Sequence, residues 1–327
     1  MTVTPVSDIP VFDPEAGVTV LAPERDEPGY WVGCASVLQD EGRYLMTYRR
    51  RRPRGEAGTE RGWRCAIAAS HDGVSFDDVW TLDKTALGTP SMERFSLHRR
   101  TDGRYQLYLS YVDPSDNRWR IDVVEADAPE AFDVTERRPV FTAEGTGTEG
   151  VKDPRVVRTS DGRLVMLVSA AQGTFAEGGA GEAHATADIY NTGLSLSVSA
   201  LAESEDDGTT WQWKGVVFEP GEGWDRWAAR LNTLVETDSG FFAYYDGESH
   251  HSRNYEEKTG LAFSSDLVHW SRLSADAPAV TTPHGSGSVR YVDAVPDGPA
   301  TLRLYYEVSR ADGAHELRTL TLPRPTR

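Results

Sequence analysis

Five short acidic-glycine turns break the chain at intervals of roughly sixty residues, and each is followed at once by an aromatic or aliphatic run. The turns are Asp40-Glu41-Gly42, Asp102-Gly103, Asp161-Gly162, Asp238-Ser239-Gly240 and Asp297-Gly298, and the runs after them open at Tyr44, Tyr105, Leu164, Phe241 and Leu302. Asp-Gly and its relatives supply the positive backbone angles of tight hairpins, and aromatic and β-branched residues suit the flanking strands. The chain therefore reads as five copies of one antiparallel unit.

A unit of this length built from strands alone predicts an all-β fold, a five-bladed β-propeller with four-stranded antiparallel blades around a central channel. The blades fall at about residues 28–86, 87–145, 146–221, 222–282 and 283–324, in a single domain over 1–327 whose first 27 residues form an arm that closes the ring. A β-sandwich also has short strands between turns, but the regular spacing favours the propeller. Amphipathic helical periodicity is scarce, which argues against an α/β fold.

A second repeated signal lies later in the units. Ser204-Glu205-Asp206-Asp207-Gly208-Thr209-Thr210-Trp211 matches an Asp-box, with shorter relatives at Ser70 to Phe76 and Ser264 to Trp270. In such hairpins the Ser and Asp side chains satisfy turn amides and the aromatic packs between sheets. These acids are read as structural.

The formal charge of −17 argues against a nucleic-acid partner, because a phosphate backbone demands a positive surface. No apolar segment approaches the roughly twenty residues of a membrane span, so no membrane partner is expected. Cys34 and Cys65 are too few for a disulfide framework and lack zinc-ligand spacing. The start, Met1 to Val6, lacks the features of a secretory signal, and together these readings predict a cytoplasmic protein. Arg49-Arg50-Arg51-Arg52-Pro53-Arg54 is a basic cluster placed just after the second strand of the first unit. It reads either as a solvated loop balanced by Glu56 and Glu60 or as a device that draws an anionic ligand to that face.

Counting back about ten residues from each turn gives the segments nearest the channel: Trp31 to Cys34, Met92 to Phe95, Lys152 to Arg155, Arg226 to Asn232 and Ser286 to Arg290. Glu93 and Asp153 hold equivalent places in neighbouring units, so they are candidates to divide into acid and base if their surroundings separate their pKa values. Arg94, Arg155, Arg230 and Arg290 at the same level are suited to pin a carboxylate or phosphate. The competing reading is an internal ion-pair network that fills the channel. Loops on the same face add Asp113, and Asp246 with Glu248, His250 and His251; Glu248 is a further catalytic candidate, Asp246 and His250 ligand contacts. Trp227, with Trp31 and Trp224, offers an aromatic platform for a sugar ring. No metal site or cofactor is expected, since no third ligand follows from the histidine spacing. The stretch Ala171 to Asn191, with Gly178-Gly179-Ala180-Gly181, is long for a loop and predicts a lid over the channel mouth.

At these residues the chain resembles the five-bladed propeller glycosidases, above all glycoside hydrolase families 43, 32 and 130. The most specific match is Lys152-Asp153-Pro154-Arg155 and the strand and turn after it, which look like the inner strand carrying the Asp-Pro motif of these enzymes; Ser264 to Trp270 looks like a hairpin common among them. The resemblance implies for Asp153 the part of the central carboxylate that tunes the acid, or of the acid itself. It also implies a base Asp opening the first unit and an acid Glu opening the fourth, where this chain has Gly33 with its neighbours and Trp227 to Arg230, with Asp225 nearby but out of register. The expected function is cleavage or rearrangement of a glycosidic bond by Glu93 and Asp153, on a sugar or other small molecule with an anionic group. Phosphorolysis, a non-hydrolytic tailoring reaction and a non-catalytic sugar-binding propeller are the alternatives. Assembly state is not encoded in any motif found.

Overall fold

The computed structural model describes residues 10–56, 60–174 and 179–325. Met1 to Val6 and Gly178 lie outside the described residues. Strand β1 (Val18–Leu21) precedes a series of antiparallel meanders. The first is β2 (Trp31–Asp40), β3 (Arg43–Arg52), β4 (Arg61–Ser70) and β5 (Asp77–Asp83). The second is β6 (Ser96–Arg99), β7 (Tyr105–Val112), β8 (Trp119–Ala126) and β9 (Arg138–Phe141). The third is β10 (Gly150–Arg158), β11 (Leu164–Gly173), β12 (Ser195–Ser204) and β13 (Gln212–Phe218). In the fourth, β14 (Ala228–Leu231) and β15 (Val235–Thr237) both pair with β16 (Gly240–Glu248), which continues to β17 (Lys258–Ser264) and β18 (Trp270–Arg272). The last is β19 (Val289–Pro296), β20 (Thr301–Ser309) and β21 (His315–Pro323), whose outer strand is paired by β1 from the other end of the chain.

Each acidic-glycine turn joins the first two long strands of a meander. In the first, Glu41 and Gly42 both have positive φ, 51° and 78°, the combination that lets a two-residue hairpin follow the twist of its strands. The apolar faces so aligned pack between meanders. Leu45 and Ile67 meet Leu97, Leu107 and Leu109; Tyr108 and Val123 meet Val156, Met166 and Val168; Val165 and Leu201 meet Leu231, Phe241 and Ala243; Phe242 and Leu261 meet Val292, Leu304 and Tyr306. The circuit returns to its start, because Val37, Met46 and Tyr48 pack with Tyr305 and Leu317. Each such aliphatic side chain, fully withdrawn from water, contributes about 1.5–3 kcal/mol against the entropy of ordering the chain.

The hairpin acids are structural. Ser204 Oγ accepts from Gly208 N at 2.8 Å, and Asp206 Oδ1 accepts from Thr210 N at 2.8 Å. The same pattern recurs at Ser70 and Asp72 and at Ser264 and Asp266. Asp207, beside the first of these, takes Thr101 N at 2.6 Å and so ties the third meander to the second.

One expectation is corrected. The basic cluster does not follow the second strand but lies largely within it, since β3 runs to Arg52. The alternation of the strand sends Arg49 and Arg51 inward to full burial, while Arg50 and Arg52 lie outward over Tyr48 and Trp63. Glu56 and Glu60 do not balance them: Glu56 accepts from Tyr30 at 2.9 Å and Glu60 lies 3.8 Å from Lys84.

Candidate functional site

The innermost strands share a defect that builds the site. Pairing slips between Gly33 and Ser36 on β2, between Lys152 and Arg155 on β10, and between Arg290 and Asp293 on β19. Each gap holds a non-glycine residue in the left-handed region: Cys34 at φ 63°, Asp153 at 55° and Tyr291 at 51°. Such angles cost roughly 1–2 kcal/mol per residue and persist where the surroundings impose them, commonly at functional sites. The bulges bring their side chains together. Cys34 Sγ and one oxygen each of Glu93 and Asp153 lie within 4.8 Å of one another. Tyr291 Oη donates to Asp153 Oδ2 at 3.2 Å. Glu93 joins them from just before β6, where its N–H donates to Ser110 O at 3.0 Å. Gly33 is required beside Cys34, because a Cβ there would come within 2.1 Å of Glu307 Oε2.

Around this point acids and bases alternate in a buried circuit. Glu93 lies 2.9 Å from Arg49 and 3.8 Å from Arg51. Arg49 reaches Glu307 at 3.4 Å, Glu307 takes Arg290 at 2.6 Å, and Arg290 bonds Glu257 at 2.9 Å. Glu257 meets Arg230, which is 3.6 Å from Asp246. Asp153 has its own cation, Lys152, at 3.3 Å. Arg49 Nη1 is close to Glu93 without the alignment of a hydrogen bond, so charge attraction holds that contact. Arg230 keeps Nε and Nη1 unpaired in full burial. Burial alone would raise the Glu307 carboxyl, but Arg290, His315 and Arg49 outweigh it and hold it well below the usual range. Asp246 goes the other way: burial drives its pKa up, Arg230 opposes, and the charge of Glu257 adds to the rise. Burial likewise pushes the Cys34 thiol up, against the pull of Arg49.

The predicted residues divide into three groups. Glu93, Asp153, Asp246, Arg230 and Arg290 converge in the centre. Arg94 and Arg155 turn their guanidinium groups toward Asp293, at 3.5 and 2.8 Å, although the Arg94 N–H donates to Asp153 Oδ1 at 3.2 Å. Glu248, Trp227 and His250 do not enter the centre. Glu248 accepts from Ser249 N at 2.6 Å and lies 3.4 Å from Lys258. His250 is exposed and caps a short helical turn by accepting from Ser252 N, and Trp227 packs against His251 with ring centroids 5.5 Å apart. Asp225 is bound to Arg272 at 2.6 Å and Tyr245 at 3.0 Å, and Asp113 to Ser115 and Arg120. Glu257, Glu307 and Tyr291 belong to the centre but were not singled out from the sequence, and Arg49 and Arg51 stood out there only as members of the basic cluster. Glu307 carried a readable signal, a lone acid inside the apolar run Tyr305-Tyr306-Glu307-Val308.

Among the described residues Cys34, Glu93 and Asp153 are the group whose spacing would suit a divalent cation. Arg49 and Lys152 already neutralise the two carboxylates, so the donor set does not fit one well. Two short segments, 188–191 and 251–257, meet beside the centre: Asn254 Nδ2 donates to Tyr190 O at 2.9 Å, and the Tyr255 ring covers the Arg51 guanidinium at 3.8 Å. Tyr190 is buried, donates to Gly150 O at 3.2 Å and lies under Lys152, 4.6 Å from its ring centroid to Nζ. The stretch expected as one long loop is instead broken into structure, with strand β11 running to Gly173, a short helix at Ala180–Ala185 and a 3-10 turn at Ile189–Asn191 that brings Tyr190 against Lys152.

Likeness to solved structures now decides the fold. A thermostable family-43 glycoside hydrolase superposes with a TM-score of 0.64 at 14% identity, covering 89% of this chain and 89% of its own. The chain has the propeller-glycosidase fold. A glycosyl hydrolase from Bacteroides ovatus shares that fold at a TM-score of 0.62 and 16% identity over 94% of this chain and 92% of its own. A protein of the GH130 family of mannoside phosphorylases, a family containing glycoside hydrolases that target β-1,2 mannosidic linkages in Candida mannan, does so at 0.61 and 15% over 96% of each chain. No protein-family profile and no curated protein matches at the level of sequence. Among the described residues no helix is long and apolar enough to cross a membrane.

Proposed function

We propose that this chain is a carbohydrate-active enzyme that cleaves or rearranges a glycosidic bond, built as one five-bladed propeller with blades near residues 28–86, 87–145, 146–221, 222–282 and 283–324. The observation that carries this reading is the convergence of Asp153 and Cys34, held on strained inner strands, with Glu93 from just before β6, in a glycosidase fold. Two carboxyl groups are what glycoside chemistry needs, one to protonate the leaving oxygen and one to act at the anomeric carbon. Their closeness favours one of two geometries. Inverting hydrolysis needs about 6.5–9.5 Å between carboxyl groups to admit a water, whereas the retaining arrangement needs about 5–5.5 Å, nearer to what Glu93 and Asp153 offer. Arg230 and Arg290 would orient an anionic group of the substrate, and phosphorolysis remains within this reading because such arginines also suit phosphate. Two buried, unpaired cysteines favour a reducing, cytoplasmic setting.

A second reading, a non-hydrolytic tailoring enzyme or a sugar-binding propeller, is favoured by the absence of an acid from Gly33 and its neighbours and from Trp227 to Arg230, where the family-43 resemblance expects a base Asp and an acid Glu. A screen of the purified protein against aryl glycosides, with and without phosphate, separates them. Turnover abolished by Glu93→Gln and by Asp153→Asn supports the glycosidic reading. Turnover that survives both substitutions, or none on any glycoside, sinks it.

A further inference from the structure

Beside the buried centre lies a cavity of about 450 Å³ bounded by Arg54, Asp188, Asn191, His251, Asn254 and Tyr255. Its wall at Tyr255 is the roof of the centre. The Tyr255 ring centroid is 3.8 Å from the Arg51 guanidinium, and Arg51 reaches Glu93 at 3.8 Å. Tyr255 holds φ 84°, a left-handed angle that a bulky residue keeps only under constraint. It is held at both ends: its N–H donates to Glu257 Oε1 at 3.0 Å and its hydroxyl to Asp188 Oδ1 at 2.7 Å.

Asp188 is the knot of this assembly. It is shared between Arg54 and Arg61, and Asn191 Nδ2 donates to it at 2.7 Å. Among the described residues this one carboxylate is the ion-pair partner of both guanidinium groups, so locally positive charge exceeds negative. Arg61 is buried, whereas the Arg54 side chain is 57% exposed at the cavity. In a chain of net charge −17 such a spot concentrates an anion that the rest of the surface repels. Asn254 adds a buried amide oxygen with no donor, while its amide nitrogen is committed to Tyr190 O at 2.9 Å. An orphaned acceptor of this kind is matched by a hydroxyl.

We propose that this cavity is the entry site for a sugar carrying one anionic group, a carboxylate or a phosphate. The anion takes Arg54, a ring hydroxyl donates to Asn254 Oδ1, and the withdrawal of Arg54 removes one of the two cations that fix Asp188, loosening its support of Tyr255 and opening the roof of the centre. The inference rests on the glycosidic reading for its choice of a sugar, but its test needs no turnover.

Calorimetric titration with glucuronate, glucose 6-phosphate, glucose and inorganic phosphate tests the ligand class. One of the two anionic sugars binds, and which one identifies the anion. Glucose in the native protein, and the anionic sugar in Arg54→Gln, bind about tenfold more weakly or worse, the loss of one charge-assisted contact. Alkylation of Cys34 by N-ethylmaleimide, followed by peptide mapping, tests the opening, because Cys34 lies beside Glu93 at 3.9 Å under this roof. Saturation with the anionic sugar raises the labelling rate, and so does Asp188→Asn without ligand. The proposal is overturned if neither anionic sugar binds, if glucose or inorganic phosphate binds as tightly, if Arg54→Gln changes nothing, or if the labelling rate moves in neither case. Binding and labelling as described with no turnover of any glycoside would keep the entry site and remove the reaction proposed above; turnover without either response would do the reverse.

Discussion

Asp246 makes the centre sensitive to pH in a direction opposite to that of most carboxylates. It is fully buried on β16; Oδ1 accepts from Tyr291 N at 3.0 Å, Oδ2 has no hydrogen-bond donor, and Arg230 stands off at 3.6 Å. Burial raises its pKa, Arg230 and Arg290 oppose, and Glu257 adds to the rise. An unfolded aspartate titrates near about 3.9. Above that pH the unfolded chain has released the proton while the folded chain still holds it, so stability falls as pH rises until the folded carboxyl has ionised. A full proton difference corresponds to about 1.4 kcal/mol per pH unit. Asp246→Asn keeps the shape of the protonated acid and cannot titrate, so it removes this slope. Urea unfolding of both proteins at about one-unit steps from roughly pH 5 to pH 7 measures it: the native protein should lose stability relative to the variant by up to about 1.4 kcal/mol per step. His98, whose pKa burial lowers, gains stability with rising pH, but it is present in both proteins and cancels. Parallel stability curves would show that Asp246 is ionised throughout, and would refute the reasoning.

Glu93→Gln and Asp153→Asn should each lower turnover of a responsive glycoside by about 10²–10⁴-fold, the usual contribution of a positioned acid or base, with the circular dichroism of the fold retained. Arg290→Gln leaves Glu257 and Glu307 without the cation they share and should cost about 3–5 kcal/mol in urea unfolding; a loss below about 1 kcal/mol would mean that the circuit is not a stabilising unit. Ser204→Ala removes the acceptor for Gly208 N at 2.8 Å and should cost about 1 kcal/mol while turnover stays unchanged, since the hairpin is tied to Arg100, Thr101 and Arg158 rather than to the centre.

The strand order was readable because turn chemistry is local: Glu41-Gly42 needs only its own backbone angles to declare a hairpin. The centre was readable only in part. Glu93, Asp153, Arg230 and Arg290 emerged by counting back from the turns to the innermost strands. That count does not reach the second strands, which supply Arg49 and Glu307, nor the start of β17, beside which Glu257 lies. Arg49 and Arg51 were obscured further because four consecutive arginines look solvated until strand alternation separates two inward from two outward positions. Arg155 shows the opposite failure. It shares the inner strand of Asp153, yet the bulge between them turns it to Asp293. A register slip of this kind depends on the partner strand and leaves little trace in the local sequence.

The pairing of β1 with β21 joins side chains as distant as Thr19 and Glu316, 297 positions apart. Until β21 has been made, β1 lacks this partner and presents an unsatisfied sheet edge. A contact of such sequence separation forms late, because the entropy of closing the intervening chain must be met before the pairing rewards it.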